Sequence, residues 1–152
     1  MMPFVKMHGC GNDFVVLRSA DLDALALDAA ALERFVQRAC DRHYGIGADG
    51  LLAYAAGGDN RLRMAYWNRD GSRAEMCGNG ARCVVRLAWE RGEVRSPLVL
   101  ETDAGHHAAS VLLKTLGRVC YGGLYRSSIK ITSPPTATAA RCPPFGERGR
   151  RG

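Results

Sequence analysis

The spacing of apolar residues changes several times along this chain, and each change marks an element. Phe4-Val5-Lys6-Met7 and Phe14-Val15-Val16-Leu17 flank the bend Gly9-Cys10-Gly11-Asn12-Asp13, which predicts two strands joined by a shaped loop. From Asp28 the spacing becomes helical: Leu32, Phe35, Val36, Ala39 and Cys40 share a face, with Asp28 as N-cap and Gly45 as the stop. Leu51 to Ala55 and Leu62 to Trp67 read as two more strands, because Gly57-Gly58-Asp59-Asn60 between them has the composition of a hairpin turn. Asn68-Arg69-Asp70-Gly71-Ser72 is a second turn. It leads through Arg73 to Met76 into Cys77-Gly78-Asn79-Gly80 and a helix running to Gly92, where glycine again supplies the stop. Leu98 to Glu101 and Ala108 to Leu113, with Asp103-Ala104-Gly105 between them, complete a strand-rich α+β domain around that helix. Beyond about Gly117 the periodicity fades. Residues 127–152 gather Pro134-Pro135, Pro143-Pro144 and glycines, which predicts little regular structure.

With 152 residues, 47% of them hydrophobic, the chain can hold one domain with a core of its own but no second domain of equal size. No apolar run reaches bilayer-spanning length, and the amino terminus lacks the basic-then-apolar order of a secretory signal. The expected location is therefore the cytoplasm, without membrane contact. The six cysteines, Cys10, Cys40, Cys77, Cys83, Cys120 and Cys142, fall without close pairing and read as free thiols. There is no Cys-x-x-Cys, and the adjacent His106 and His107 point to opposite faces if they lie on a strand, so no metal is expected. The net charge of +6 suggests nucleic acid until it is placed along the chain. Residues 1–103 carry 13 basic and 14 acidic side chains, whereas residues 104–152 carry 8 basic ones and a single acid, Glu147. The excess is spread thinly through Gly, Pro, Ser and Thr, without the interleaved aromatics that stack bases. A solvated tail is expected rather than a nucleic-acid surface.

The segment Met76-Cys77-Gly78-Asn79-Gly80-Ala81-Arg82 carries the candidate chemistry. A cysteine just before a helix faces unpaired amides and the positive end of the helix dipole, which favour a thiolate able to act as a base. Gly78 and Asn79 would present backbone N–H groups to an anion, and glycine lets that anion come close. One helix end could thus hold an amino acid's α-carboxylate and set its α-carbon against sulfur. The alternative is that Cys77 is a small buried hydrophobe before a tight turn; Cys83, inside the helix, fits that description better. Asn12 and Asn68 lie in loops where side-chain amides could hold a zwitterion, although asparagine is also an ordinary turn former.

Four segments in order resemble the signatures of the diaminopimelate epimerase family. They are Met7-His8-Gly9-Cys10-Gly11-Asn12-Asp13-Phe14, Gly45-Ile46-Gly47-Ala48-Asp49-Gly50, Asn68-Arg69-Asp70-Gly71-Ser72 and Met76-Cys77-Gly78-Asn79-Gly80-Ala81-Arg82-Cys83. Proline racemases keep a Cys-Gly loop but usually show His where Asn79 stands, and phenazine-biosynthesis relatives replace the thiol, so the diaminopimelate branch is favoured. The resemblance covers Met1 to about Leu113. It implies an α+β fold of mostly antiparallel strands wrapped around a central helix over residues 1–115, followed by an irregular basic tail over residues 116–152.

The implied reaction is interconversion of LL- and meso-diaminopimelate, on the route to lysine and peptidoglycan, with no cofactor and no metal. In that family two cysteines face opposite sides of the α-carbon, one as thiolate base and one as thiol acid. Cys77 matches the first of them; by the same match Asn12 and Asn68 would contact substrate, and Gly78 and Asn79 would offer amides to its α-carboxylate. Gly50 stands where some members place a glutamine that grips the substrate. The opposing thiol comes, in the family, from a second domain. Its equivalent here is expected from a missing second domain or from a second copy of the chain, and the composition after about Leu116 looks like a reading-frame change or an early stop. The resemblance therefore implies a half-enzyme that is inactive alone. A non-catalytic module binding an amino acid, or a polyanion through the tail, is the alternative of a different class.

Overall fold

The computed structural model describes residues 2–115 and 125–132. Its elements are β1 (Val5–Gly9), β2 (Asn12–Arg18), α1 (Ser19–Asp23), α2 (Ala29–Cys40), β3 (Gly50–Gly57), β4 (Arg61–Asn68), β5 (Arg73–Ala74), α3 (Gly78–Glu90), β6 (Leu98–Thr102), β7 (Gly105–Thr115) and β8 (Tyr125–Thr132). The strands form one sheet in the order β1-β2-β3-β4-β6-β7-β8, with the short β5 paired to β4. Neighbours are antiparallel except at β2/β3 and β4/β6. Those two parallel joints are where helices intervene, α1 and α2 in the first and α3 in the second. Parallel neighbours need a crossover of that length, whereas antiparallel ones close on short turns.

α3 contacts both edge strands, β1 and β8, as well as β2, β3, β4 and β7, so the sheet curls into a half-barrel around it. Strand alternation explains how both faces are covered. Phe14, Val16, Leu52, Tyr54, Leu62, Met64 and Tyr66 point inward and pack with Ala81, Val84, Val85 and Ala88 of α3. Their neighbours Val15, Leu17, Leu51, Ala53, Ala65 and Trp67 point outward and are covered by Val36 and Cys40 of α2. The expected α+β architecture around a central helix is the one observed.

Several local expectations are refined. Asp28 caps α2, its Oδ1 accepting from the Ala31 N–H at 2.7 Å. Gly45 is not the stop: α2 ends at Cys40 because Asp41 is extended (φ −61°, ψ 128°), and the Gly45 N–H then bonds back to the Asp41 carbonyl at 3.0 Å within the loop. Gly92 does end α3, at φ 70°, with Gly92 N–H donating to the Trp89 carbonyl at 3.0 Å and Glu93 N–H to that of Ala88 at 2.9 Å. The short α1 and β5 have too few residues to show a period.

The largest difference lies within the span expected to be irregular, where Tyr125–Thr132 forms β8 against β7, with Ala109 opposite Ile131 and Val111 opposite Ile129. Ile129 and Ile131 alternate with Ser128, Lys130 and Thr132, a two-residue period that places both isoleucines on the core. Proline and glycine beyond that stretch obscured the signal. The remaining expectations for the tail fall on residues 116–124 and 133–152, outside the described residues. Among the described residues no helix is long and apolar enough to cross a membrane.

Candidate active site

Strand register gathers the predicted site residues at one rim of the sheet. Asn12 opens β2; two residues on, Phe14 pairs with Gly50 at the start of β3, and Gly50 pairs with Asn68 at the end of β4. The start of α3 joins this rim, because the β1–β2 hairpin rests on it: a Cβ on Gly9 would lie 2.9 Å from the Asn79 carbonyl oxygen. Asn12, Asn68, Cys77, Gly78 and Asn79 are all half-buried, open to a ligand on one side and anchored on the other.

Cys77 is the N-cap of α3, in extended conformation (φ −137°, ψ 113°), and its Sγ accepts from the Gly80 N–H at 3.4 Å. Its carbonyl takes the Ala81 N–H at 2.8 Å. The Gly78 and Asn79 amides, at the first two helical positions, have no acceptor within the helix and carry its positive end. The glycines on either side of Asn79 serve different ends. A Cβ on Gly80 would lie 2.9 Å from Leu52 Cδ2, so glycine there seats α3 on β3. A Cβ on Gly78 would meet nothing nearer than an Arg82 nitrogen at 3.8 Å; the space beside it is free for an incoming carboxylate.

The side-chain amides are held in one orientation by relays of hydrogen bonds. Arg82, a donor only, bonds Asn79 Oδ1. That leaves Asn79 Nδ2 to donate to Asn12 Oδ1 at 2.9 Å, and Asn12 Nδ2 as a donor without a partner among the described residues. Around Asn68 the relay begins at a carboxylate. Asp70, held below the ordinary carboxylate range by hydrogen bonds from the Ser72 hydroxyl and amide, accepts the hydroxyl at 2.6 Å. Ser72 Oγ therefore accepts from Asn68 Nδ2 at 3.0 Å, and Asn68 Oδ1 accepts from the Tyr66 hydroxyl at 2.7 Å. Asn12 thus keeps its Nδ2 available as a donor, and the Asn68 amide is held at both ends.

A cluster of ions braces the hairpin. The Asp13 carboxylate takes two bonds from Arg42, at 2.8 and 3.1 Å, and one from Lys6 at 3.1 Å; Arg42 also reaches Asp49 at 2.8 Å. The guanidinium of Arg42, above all, holds the Asp13 carboxyl far below the usual range. The signature aspartates Asp13 and Asp49 thus fasten the hairpin to the loop after α2.

The other thiols separate by burial. Cys83 and Cys40 are buried, and desolvation pushes each up to about 11, which suits small core residues and not proton transfer. Cys10 is exposed, its Sγ 3.7 Å from Arg82 Nη2. Cys120 and Cys142 lie outside the described residues. His106 is exposed and His107 buried, on opposite faces of β7 as expected. An apolar groove of about 830 Å3 lies on the α2 face, lined by Leu17, Leu27, Phe35 and Ile46 among others, and contains none of the site residues.

The family model for diaminopimelate epimerase matches residues 4–122. The chain belongs to the diaminopimelate epimerase family. It is 43% identical to the diaminopimelate epimerase of Heliobacterium modesticaldum over 119 residues, which is 78% of this chain and 42% of that protein. It is 48% identical to that of Moorella thermoacetica over 105 residues (68% and 36%), and 40% identical to that of Desulforudis audaxviator over 153 residues (97% and 54%). The chain thus spans about half the length, or less, of these relatives. Among solved structures, a hydroxyproline epimerase from Agrobacterium vitis, with trans-4-OH-L-proline bound, superposes with a TM-score of 0.54 at 14% identity, covering 86% of this chain and 45% of its own. A phenazine biosynthesis protein from Bacillus anthracis gives 0.51 at 19%, covering 74% and 36%. At these identities the likeness is one of fold.

The diaminopimelate epimerase match passes the limit near Leu113 that the motifs alone set. Motifs mark loops and turns, whereas β7 and β8 offer only alternation, which a motif does not register. Three residues at the rim were missed as participants: Arg82, named only as part of a signature, Ser72, named only in a turn and a signature, and Tyr66, read only as a strand residue. Arg82 lies one helical turn from Asn79, a spacing that predicts contact once the helix is placed. Tyr66 lies two residues from Asn68 and so on its face of β4, a period-two signal legible only once Asn68 is taken as a site residue.

Proposed function

We propose that this chain supplies one half of a diaminopimelate epimerase site, with Cys77 as one of two opposed acid/base thiols and no cofactor. The observation that carries the reading is the placement of Cys77 Sγ at the start of α3, next to two helix amides without intrahelical acceptors, on the rim to which strand register also brings Asn12 and Asn68. The substrate α-carboxylate sits on the Gly78 and Asn79 amides. As the α-proton leaves to Cys77, negative charge spreads into that carboxylate, where the helix end and the amides are already aligned to receive it. Asn12, with its Nδ2 free to donate, and Asn68 contact the distal end of the substrate, whose second carboxylate accepts from an amide N–H.

Inversion requires removal of the proton on one face and delivery on the other. One thiol can at most return a solvent proton to the face it came from. The opposing thiol belongs to the part of the family's length that lies outside this sequence. Purified chain incubated with LL-diaminopimelate in deuterated water is expected to give at most α-deuteration with retention, and no meso isomer. Efficient meso formation that survives replacement of Cys120 and Cys142 by alanine would overturn the single-thiol assignment.

A further inference from the structure

We propose that Tyr66 is a positioning residue for substrate: its hydroxyl, acting with Ser72 at the other end, fixes the one orientation in which the Asn68 amide meets the ligand. The inference rests on the reading of Asn68 as a substrate contact. It is carried by three independent features of the rim.

The first is the direction of the hydrogen bonds. An asparagine amide is nearly symmetric in shape, so its two orientations are distinguished only by what its ends meet. The ionised Asp70 accepts from Ser72, Ser72 accepts from Asn68 Nδ2, and Tyr66 donates to Asn68 Oδ1. With both ends engaged, rotation of the amide breaks two bonds at once. Burial, and after it the neighbouring Cys77, push the Tyr66 hydroxyl up to about 12, so it remains a donor throughout the range in which a thiol pair would operate.

The second feature is the seat of the ring. Gly50 stands opposite Asn68 on β3, and a Cβ at Gly50 would come within 2.6 Å of Tyr66 Cε2. The ring therefore occupies the space a side chain on Gly50 would take. Phe14 meets Tyr66 edge to face, with centroids 6.1 Å apart and planes at 80°. The hydroxyl is therefore delivered by a ring with no freedom to swing.

The third is location. Tyr66 belongs to the inner core against which Cys77 packs, and Asn68 closes β4 at the same rim. The Tyr66–Asn68 bond thus lies beside the reacting thiol rather than in a remote part of β4.

The test uses the full chain. Titration with LL-diaminopimelate, followed by calorimetry and by the side-chain 15N–1H signals of Asn68, is compared between wild type and Tyr66→Phe, which keeps the ring and removes only the hydroxyl. The expected result is affinity about 3- to 10-fold weaker, the effect of one orienting hydrogen bond, with the Asn68 NH2 pair shifted or broadened before ligand is added. Ser72→Ala reaches the same amide from its other end. It is expected to weaken binding similarly, and less than additively with Tyr66→Phe, so the question stays answerable if one variant does not fold. A lower melting temperature with unchanged affinity and unchanged Asn68 signals assigns Tyr66 to packing alone and overturns the inference. If the wild-type chain has no measurable affinity for LL-diaminopimelate, the half-site reading fails first and takes the inference with it.

Discussion

The two long helices begin in opposite ways. α2 is capped by a carboxylate, with Asp28 Oδ1 2.7 Å from the Ala31 N–H; α3 is capped by a thiol, with Cys77 Sγ 3.4 Å from the Gly80 N–H. Asp28 is exposed and brings a negative charge to the positive helix end, whereas Cys77 is half-buried, caps more weakly, and is followed by an open glycine. The first arrangement uses up the helix end for stability. The second leaves the helix end open, with a half-buried thiol beside it.

That contrast can be broken at its structural foundation. Gly80→Ala sets a methyl 2.9 Å from Leu52 Cδ2 in the closed core and lifts the start of α3 off β3. Overpacking of this kind is expected to cost about 1–3 kcal/mol in urea unfolding, and LL-diaminopimelate binding should be lost with it. Retention of wild-type affinity would show that the seat does not depend on how α3 is docked. Asp28→Ala is next, with an expected loss of about 1 kcal/mol in the same assay and no change in ligand affinity. A change in affinity would mean that the two helix ends are not independent.

Cys77→Ser sharpens the comparison, since serine is a better cap of almost the same size. Stability should rise by a few tenths of a kcal/mol, up to about 1, while α-deuteration of LL-diaminopimelate falls to background. A variant that is both less stable and still active in exchange would remove Cys77 from the proposed role.

The smallest effect is expected where the two regions meet, at the Arg42 grip on Asp13. Because the folded-state pKa of Asp13 lies below its unfolded value of about 3.9, its contribution is present in full above that value and is lost as pH falls toward the folded pKa. Asp13→Asn should flatten the fall in melting temperature between about pH 4 and pH 2, and an unchanged acid slope would show that the pair is screened by solvent.

The candidate site was more legible in the sequence than its supports were. Cys77, Gly78 and Asn79 announce themselves because a thiol, a glycine and an amide in a row at a helix start are rare enough to carry meaning, and Asn12 and Asn68 share that visibility inside glycine-rich turns. Arg82, Ser72 and Tyr66 do not. Each acts through another side chain, and nothing local distinguishes an arginine that orients an asparagine from one that faces water. β8 was hidden for another reason: eight residues of alternation between stretches rich in glycine and proline read as irregular until β7 offers a partner.

By itself, the sequence determined the two long helices, most of the strands, the cap at Asp28, the thiol at the start of the second long helix, and the family, because helix and strand periods, turn residues and signature loops are local properties. Tertiary structure decided what those pieces face. The sheet's register brings Asn12, Asn68 and Cys77 to one rim, the empty position at Gly50 gives Tyr66 its place, and curling of the sheet around α3 buries Cys83 while leaving Cys77 at the opening. The two cysteines are six residues apart on the same chain segment. Their difference in burial comes from the way the sheet packs around α3, which covers Cys83 and leaves Cys77 half-exposed.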